Sequence, residues 1–370
     1  MTSPRLEIDL SKIRHNARVL VNLLGKRGIS VSGVTKAFLG LPDVARELLA
    51  AGVSGLADSR IENVRTMRRA AVKAHMTLIR SPMIGQAALV VRTTDTSLNT
   101  ELDVISELSK AAHDMGRVHG VLLMVELGDL REGIMPGDLE DTVRRTLGFP
   151  NIALMGIGTN LACRCGVVPD MKNMAELTHL ANAIDATFGP VLPVVSGGNS
   201  SNLDWALGAA STGRINNLRL GESILLGREP LHREPIEGLY TDAITLVAEV
   251  IESKIKPSQP RGEVAEAAFG AATRPANRGS ISQVILALGH MDTDPQGLTP
   301  PSGITILGSS SDHLVLDSGR NRLPVGTEIK FQLNYSALIR SMASPFVTKL
   351  IKPNVNRQVR PAYQPAECVM

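Results

Sequence analysis

The chain has 370 residues, of which 43% are hydrophobic, 20% charged and only 3% aromatic, and its formal net charge is +3. That length suits two domains, or one large barrel with an appendage, around a core of Val, Leu, Ile, Ala and Met. The small net charge, with no basic run and no stacking set of aromatics, argues against nucleic acid, and no stretch approaches the ~18 continuous apolar residues of a membrane span.

The opening MTSPRLEIDLSKIRHN lacks the long apolar run of a secretory signal. Cys163, Cys165 and Cys368 make no disulfide framework, so a reducing cytoplasm is the expected compartment. RLEIDL, about residues 5–10, reads as an isolated strand ahead of the first helix, LSKIRHNARVLVNLLGKRG. It is a candidate to pair with a later β domain rather than to enter a barrel.

From about residue 30 to 230, short apolar strands alternate with helical patterns. The predicted strands are Val31–Thr35, Val53–Ala57, Met76–Ile79, Thr96–Leu98, Gly120–Val125, Ala153–Gly158, Pro193–Val195 and Asn217–Leu220. Between them lie LPDVARELLAAG, RIENVRTMRRAAVKA and ELDVISELSKAAHDMG, whose apolar residues recur at three and four. Eight such units over about 200 residues predict a (β/α)8 TIM-type barrel, with an open doubly wound sheet as the alternative. Residues 1–235 are assigned to it. Beyond 235, the segments GLYTDAITLVAEVIESKIKP, SQVILALGH, SGITILGSSSDHLVLDS and GTEIKFQLNY predict a mostly β C-terminal domain, 236–370.

Functional side chains of a barrel belong at the C-terminal ends of its strands, and Lys36 in ISVSGVTKAFLG sits at one. Alternation in VSGVTK puts Val34 and Lys36 on one face and Thr35 on the other. An inward lysine among apolar residues loses hydration, which favours the neutral nucleophilic amine and suits imine formation with a carbonyl cofactor. A lysine reaching out to solvent is the simpler alternative. VVSGGNSSN and NLRLGESILLG end the seventh and eighth barrel strands, where barrels often form phosphate sites. Lysine and loops together point to a phosphorylated aldehyde. CRC at 163–165 lacks nearby His or Cys partners, so no metal is expected there.

In chain order, EIDLSKIRHN, GVTKAFLG, LGDLREGI, GIGTNLAC, SGGNSS, RLGESILLG, LGHMDTDPQ, GSSSDHLVLD and NYSALIRSMASPFVTK resemble successive segments of the pyridoxal-phosphate (PLP) enzymes of the alanine racemase fold. The last of them resembles that family's C-terminal strand, and the β-domain wording resembles the alanine/ornithine racemase branch. The resemblance implies a PLP-dependent racemase of free amino acids working by two-base α-proton transfer. Its substrate would be ornithine or another basic amino acid, and its active site would be shared across a head-to-tail homodimer.

The resemblance also implies roles for individual residues. Lys36 would hold PLP and serve as one base. His290, where the family has a tyrosine, would be the other, since an imidazole can make the same proton transfer. Asp292 or His313 would replace it if the register slips. Asn199 and Ser200, with backbone near Gly221 and Glu222, would bind the phosphate. Arg219 would face the pyridine nitrogen and restrain its protonation, and Arg131 would meet a carboxylate or a neighbouring base. Asp292, Ser311 and Asp312 would receive the substrate, a carboxylate pairing with its distal ammonium, although aspartates also suit turns. Three departures stand out. KAFLG lacks the tyrosine that follows the lysine, no phosphate tyrosine follows SPFVTK, and the phosphate-loop histidine reads as Ser196. A PLP-dependent decarboxylase of a basic amino acid and a non-catalytic PLP-binding protein are the alternatives. The first lacks a suitably placed cysteine, and the second would need no β domain.

Overall fold

Two sheets organise the computed structural model, which describes residues 4–269 and 275–352. Cys368 lies outside the described residues. The chain opens with β1 (Arg5–Asp9) and α1 (Leu10–Gly25). It then alternates through β2 (Ser30–Val34), α2 (Pro42–Ala50), β3 (Gly55–Asp58), α3 (Ile61–Arg69), β4 (Met76–Leu78), α4 (Ala87–Thr93), β5 (Thr96–Asn99) and α5 (Leu102–Asp114). The alternation continues with β6 (His119–Met124), α6 (Leu139–Leu147), β7 (Ile152–Gly158), α7 (Met171–Phe188), β8 (Val194–Ser196), α8 (Leu203–Leu207), β9 (Asn217–Leu220) and α9 (Glu222–Leu226). Strands then dominate: β10 (Ile244–Pro257), β11 (Ser280–Ala287), β12 (Leu298–Thr299), β13 (Thr305–Ser309), β14 (His313–Asp317) and β15 (Glu328–Leu333), followed by α10 (Tyr335–Ala343) and β16 (Thr348–Lys352).

Strands β2 to β9 are parallel and close on themselves, because β2 pairs with both β3 and β9. The expected barrel is therefore the one that forms, with each strand end within two residues of its predicted position. Strands β3, β5, β6 and β9 are buried along their whole length. Both of their faces are covered, one by the barrel interior and one by the surrounding helices, so β6 reads as an apolar run while β5 and β9 bury polar side chains such as Ser97, Asn99, Asn217 and Arg219.

The second sheet runs β12-β15-β10-β11-β14-β13, with β1 added beside β10 and β16 beside β1. One expectation is corrected here. NYSALIRSMASPFVTK is not strand throughout: its first half is helix α10, and only Thr348–Lys352 extends. The Asn334 side chain caps the helix by accepting the Ala337 N–H at 2.9 Å, and Ala337, Leu338, Ser341 and Met342 bury one helical face.

Strand β1 is locked in place by charge as well as by Leu6 and Ile8. Glu7, itself buried, accepts from Arg5 at 2.9 Å and from Lys330 and Lys352 at 2.8 Å each. Burial by itself would push its carboxyl up, but the three cations hold it down at about 2. Glu7→Gln is expected to cost about 3 kcal/mol at neutral pH, because it removes the buried carboxylate on which Arg5, Lys330 and Lys352 converge. A depressed carboxyl contributes above its unfolded value of 4.5 and loses the contribution as pH falls toward 2. Denaturant unfolding at neutral pH and at about pH 3 should therefore show the penalty shrinking with acid. No helix of the described residues is long and apolar enough to cross a membrane.

Candidate active site

β2 stops at Val34, and Lys36 opens a single 3-10 turn, Lys36–Phe38, just past the strand. Strand alternation therefore does not set the direction of Lys36, as the sequence reading had it; the turn does. Thr35 anchors the turn. Its N–H donates to Ala57 O at 2.8 Å and its hydroxyl to Asp58 Oδ2 at 2.5 Å. Ala37 and Phe38 are buried, which leaves Lys36 half-buried at the barrel mouth. Its ammonium acts on two carboxylates, Asp58 at the end of β3 and Glu222 at the start of α9. Since β3 and β9 flank β2, the lone cation of a short apolar strand has an acid on either side.

The loop after β8 is built on Asn199, whose side chain accepts the Ser201 N–H at 2.8 Å. Its amide nitrogen donates to Leu161 O at 2.9 Å and to Asn160 Oδ1 at 3.2 Å. Ser200 Oγ accepts the Ser223 N–H at 3.2 Å and meets Ser223 Oγ at 3.0 Å, so this loop is joined to the first turn of α9 beside Gly221 and Glu222. Neighbouring Ser201 has a buried hydroxyl with no hydrogen-bond partner among the described residues. Burial raises the Glu222 carboxyl, partly offset by Arg233, which donates to it.

Arg219 projects from β9 into a fully protein-lined setting. It donates to Ser196 Oγ, to Thr159 O at 2.7 Å and to Asn160 Oδ1 at 3.3 Å. Burial, with a smaller contribution from the like charge of Arg131, pulls its pKa down to about 10, which still leaves it cationic at neutral pH. Arg131 lies in the loop after β6 and is bound to Glu132. The backbone N–H groups of Cys163, Arg164 and Cys165 all donate to buried Asp129. Burial would raise that carboxyl, but these amides hold it low. The two cysteines are free and exposed, and Cys163 Sγ accepts from Asn199 Nδ2 at 3.6 Å. Lys36, Asn199, Ser200, Arg219, Gly221, Glu222 and Arg131 thus all stand on C-terminal strand ends or the loops that leave them.

The β-domain residues gather separately. The His290 and Met291 N–H groups donate to Ser310 O and Ser311 O, each at 3.0 Å, which brings His290 and Asp292 beside Ser311 and Asp312. Gly289 permits this approach, since a Cβ there would lie 2.1 Å from Ser311 O. The His290 ring stacks on Phe269 with centroids 3.9 Å apart, and its Nε2 meets Ser309 Oγ at 3.0 Å. Asp292 is buried and braces the turn by accepting the Gly289 N–H at 2.9 Å; burial, and less so the charge of Asp312, raises its carboxyl. Ser311 and Asp312 are exposed, with a 2.7 Å bond between their side chains. His313 is exposed at the start of β14.

α10 joins the two groups. Thr293 bonds to Ser341 at 2.8 Å, and the helix packs on the Lys36 turn. Its first residue, Tyr335, is half-buried, and burial, with a smaller contribution from the charge of Glu222, pushes its phenol up. The sequence reading missed Tyr335, Asp58 and Asp129. An Asn cap followed by apolar residues at helical spacing marked α10, and an acid directly after an apolar strand marked Asp58. Asp129 carried no local signal.

Residues 8–229 match the family described as alanine racemase, N-terminal domain. The ornithine racemase of Acetoanaerobium sticklandii is 38% identical over 94% of this chain and 99% of its own length. The lysine racemase of Thermotoga maritima is 36% identical over 96% of this chain and 100% of its own. The alanine racemase of a D-cycloserine-producing Streptomyces lavendulae superposes with a TM-score of 0.75 at 18% identity, over 96% of this chain and 98% of that one. Such a structural likeness reports the fold. With a family match through the whole barrel, and two relatives above 35% identity aligned nearly end to end, the chain belongs to the alanine racemase family.

Proposed function

We propose that the protein is a PLP-dependent racemase of free amino acids, acting on ornithine, lysine or another basic amino acid. The near full-length similarity to an ornithine racemase and a lysine racemase carries this reading, and Lys36 at the barrel mouth is consistent with it. The residues fit the cofactor: the buried Ser201 hydroxyl, without a partner among the described residues, adjoins Ser200 in the loop assigned to phosphate, and a half-buried amine faces the same mouth. When bound, PLP supplies an electron sink that acidifies the substrate α-proton.

The chain's own groups do the rest. Lys36 holds the cofactor and moves the α-proton on one face. His290 does so on the other, with its imidazole oriented by Phe269 and Ser309. Asn199 and Ser200, with the amides of Gly221 and Glu222, bind phosphate. Arg219 would hold a positive charge near the cofactor ring, and Arg131 would meet a carboxylate. Asp312 and Ser311 are the exposed acceptors for a distal ammonium, and Asp292 shapes the turn that presents them. Lys36 and His290 come from different sheets, which suits a homodimer with a shared site. A reducing cytoplasm suits the two exposed thiols.

The test is α-deuterium exchange in heavy water over a panel of L-amino acids, read with chiral chromatography. Ornithine and lysine are expected to exchange and racemise fastest. Release of CO2 in place of a D-product would replace racemisation with decarboxylation, and cofactor absorbance without any exchange would make the protein a PLP binder.

A further inference from the structure

We propose that the barrel mouth keeps the charge of Arg219 uncompensated for an anionic ligand, and that Asn160 is the positioning residue that does so. It rests on the proposed binding of PLP at this mouth. Arg219 is 6% exposed, and a buried charge is ordinarily paired with an opposite one. Here every group that bonds it is uncharged: Ser196 Oγ, Thr159 O at 2.7 Å and Asn160 Oδ1 at 3.3 Å. The groups behind Ser196 are uncharged as well. Its hydroxyl donates to Asn217 Oδ1 at 2.8 Å, and the Asn217 amide donates to the hydroxyls of Ser30 and Ser32 at 3.1 Å each. The acids of the loop after β6 are engaged elsewhere: Glu132 with Arg131, and Asp129 with the backbone N–H groups of residues 163–165. Among the described residues, then, Arg219 is bonded but not neutralised.

Asn160, just past β7, carries an independent observation. Its Oδ1 accepts from Arg219 and, at 3.2 Å, from Asn199 Nδ2, which decides which way the amide is turned. Its own Nδ2 is left buried with no partner among the described residues. An unpaired buried donor costs stability, as an unpaired buried cation does. The two deficits have the same sign and stand side by side, joined through Asn199 to the loop that carries Ser200. An anion rich in acceptor oxygens answers both.

The identity of the side chain at 160 therefore matters beyond its shape. A neutral amide orients the guanidinium without cancelling its charge. A carboxylate there would satisfy Arg219 from within the protein, and its field would no longer be available to a ligand.

The test pairs ligand affinity with stability. The whole chain is stripped of bound aldehyde with hydroxylamine, titrated with PLP by absorbance, and melted without ligand. Asn160→Asp keeps the shape of the side chain and an acceptor for Arg219 and Asn199. It is expected to weaken PLP binding about tenfold to a hundredfold, while raising the melting temperature of the unliganded protein by about 2 °C or more. Asn160→Ala removes the acceptor without adding charge, so it should bind PLP more tightly than Asn160→Asp and melt below wild type. A purely structural Asn160 gives the reverse order, with Asn160→Asp near wild type and Asn160→Ala the weaker binder, and that result would overturn the proposal. If Asn160→Asp does not fold, Asn217→Asp decides. Hydroxyls donate as well as accept, so this variant keeps its bonds to Ser196, Ser30 and Ser32. One hydrogen bond further from Arg219, it should show the same two signs at smaller size; unchanged affinity or a lower melting temperature rejects the proposal. Should the wild-type chain bind no PLP, the racemase reading falls, and the melting comparison still decides whether Arg219 lacks a counter-charge.

Discussion

Lys36→Ala is expected to reduce amino-acid racemisation at least about a thousandfold and to abolish visible absorbance from bound PLP. Two losses combine in one substitution: the covalent anchor of the cofactor and one of two proton-transfer groups, the latter alone worth roughly 10² to 10⁴. Lys36 is half-buried, and its neighbours Ala37 and Phe38 anchor the turn without it, so the variant should keep its fold. Circular dichroism and the melting curve check that. Lys36→Arg keeps the charge beside Asp58 and Glu222 but lacks a nucleophilic amine, and it is expected to be equally inactive. Full rate with unchanged absorbance in either variant would remove Lys36 from the mechanism.

His290→Gln is expected to lower racemisation about a hundredfold to ten-thousandfold, with an asymmetry that distinguishes a base from a structural residue. With the second base gone, Lys36 can still exchange the α-proton of one enantiomer with solvent. Deuterium should therefore enter one enantiomer of the substrate while conversion to the other nearly stops. A histidine that merely supported the β-domain turn would slow both directions alike. Stacking on Phe269 and the bond to Ser309 hold the ring in one orientation, so a change of the side chain need not disturb the strands on either side. His290→Tyr, which restores the residue the resemblance expects, should recover part of the rate.

Much of this site was legible in order along the chain. The apolar runs and amphipathic segments specify strand and helix locally, because side-chain periodicity is a property of a few consecutive residues. That favours a barrel over an open sheet, and a barrel puts functional groups at strand ends, which drew attention to Lys36 and to the two Gly-rich loops; the roles of Ser200, Arg219 and the Gly221–Glu222 pair came from the family resemblance. α10 was misread because the Asn334 cap and a short helical face compete, on sequence evidence, with an extended segment that does follow at Thr348.

What only the tertiary structure decided is the company each residue keeps. The sequence places a lone lysine after a strand and leaves open whether it meets solvent. Closure of the barrel, β2 against β3 on one side and β9 on the other, brings Asp58 and Glu222 to it. Likewise, Asp129 reads as a loop residue until folding buries it under the backbone amides of residues 163–165. Asp292 reads from the sequence as a substrate ligand or a turn residue, and folding bonds its carboxylate to the Gly289 N–H of its own turn. Burial and field at a charged group depend on chain segments distant in sequence. Local periodicity fixed the scaffold and the strand ends, and long-range closure decided which charged groups stand around Lys36.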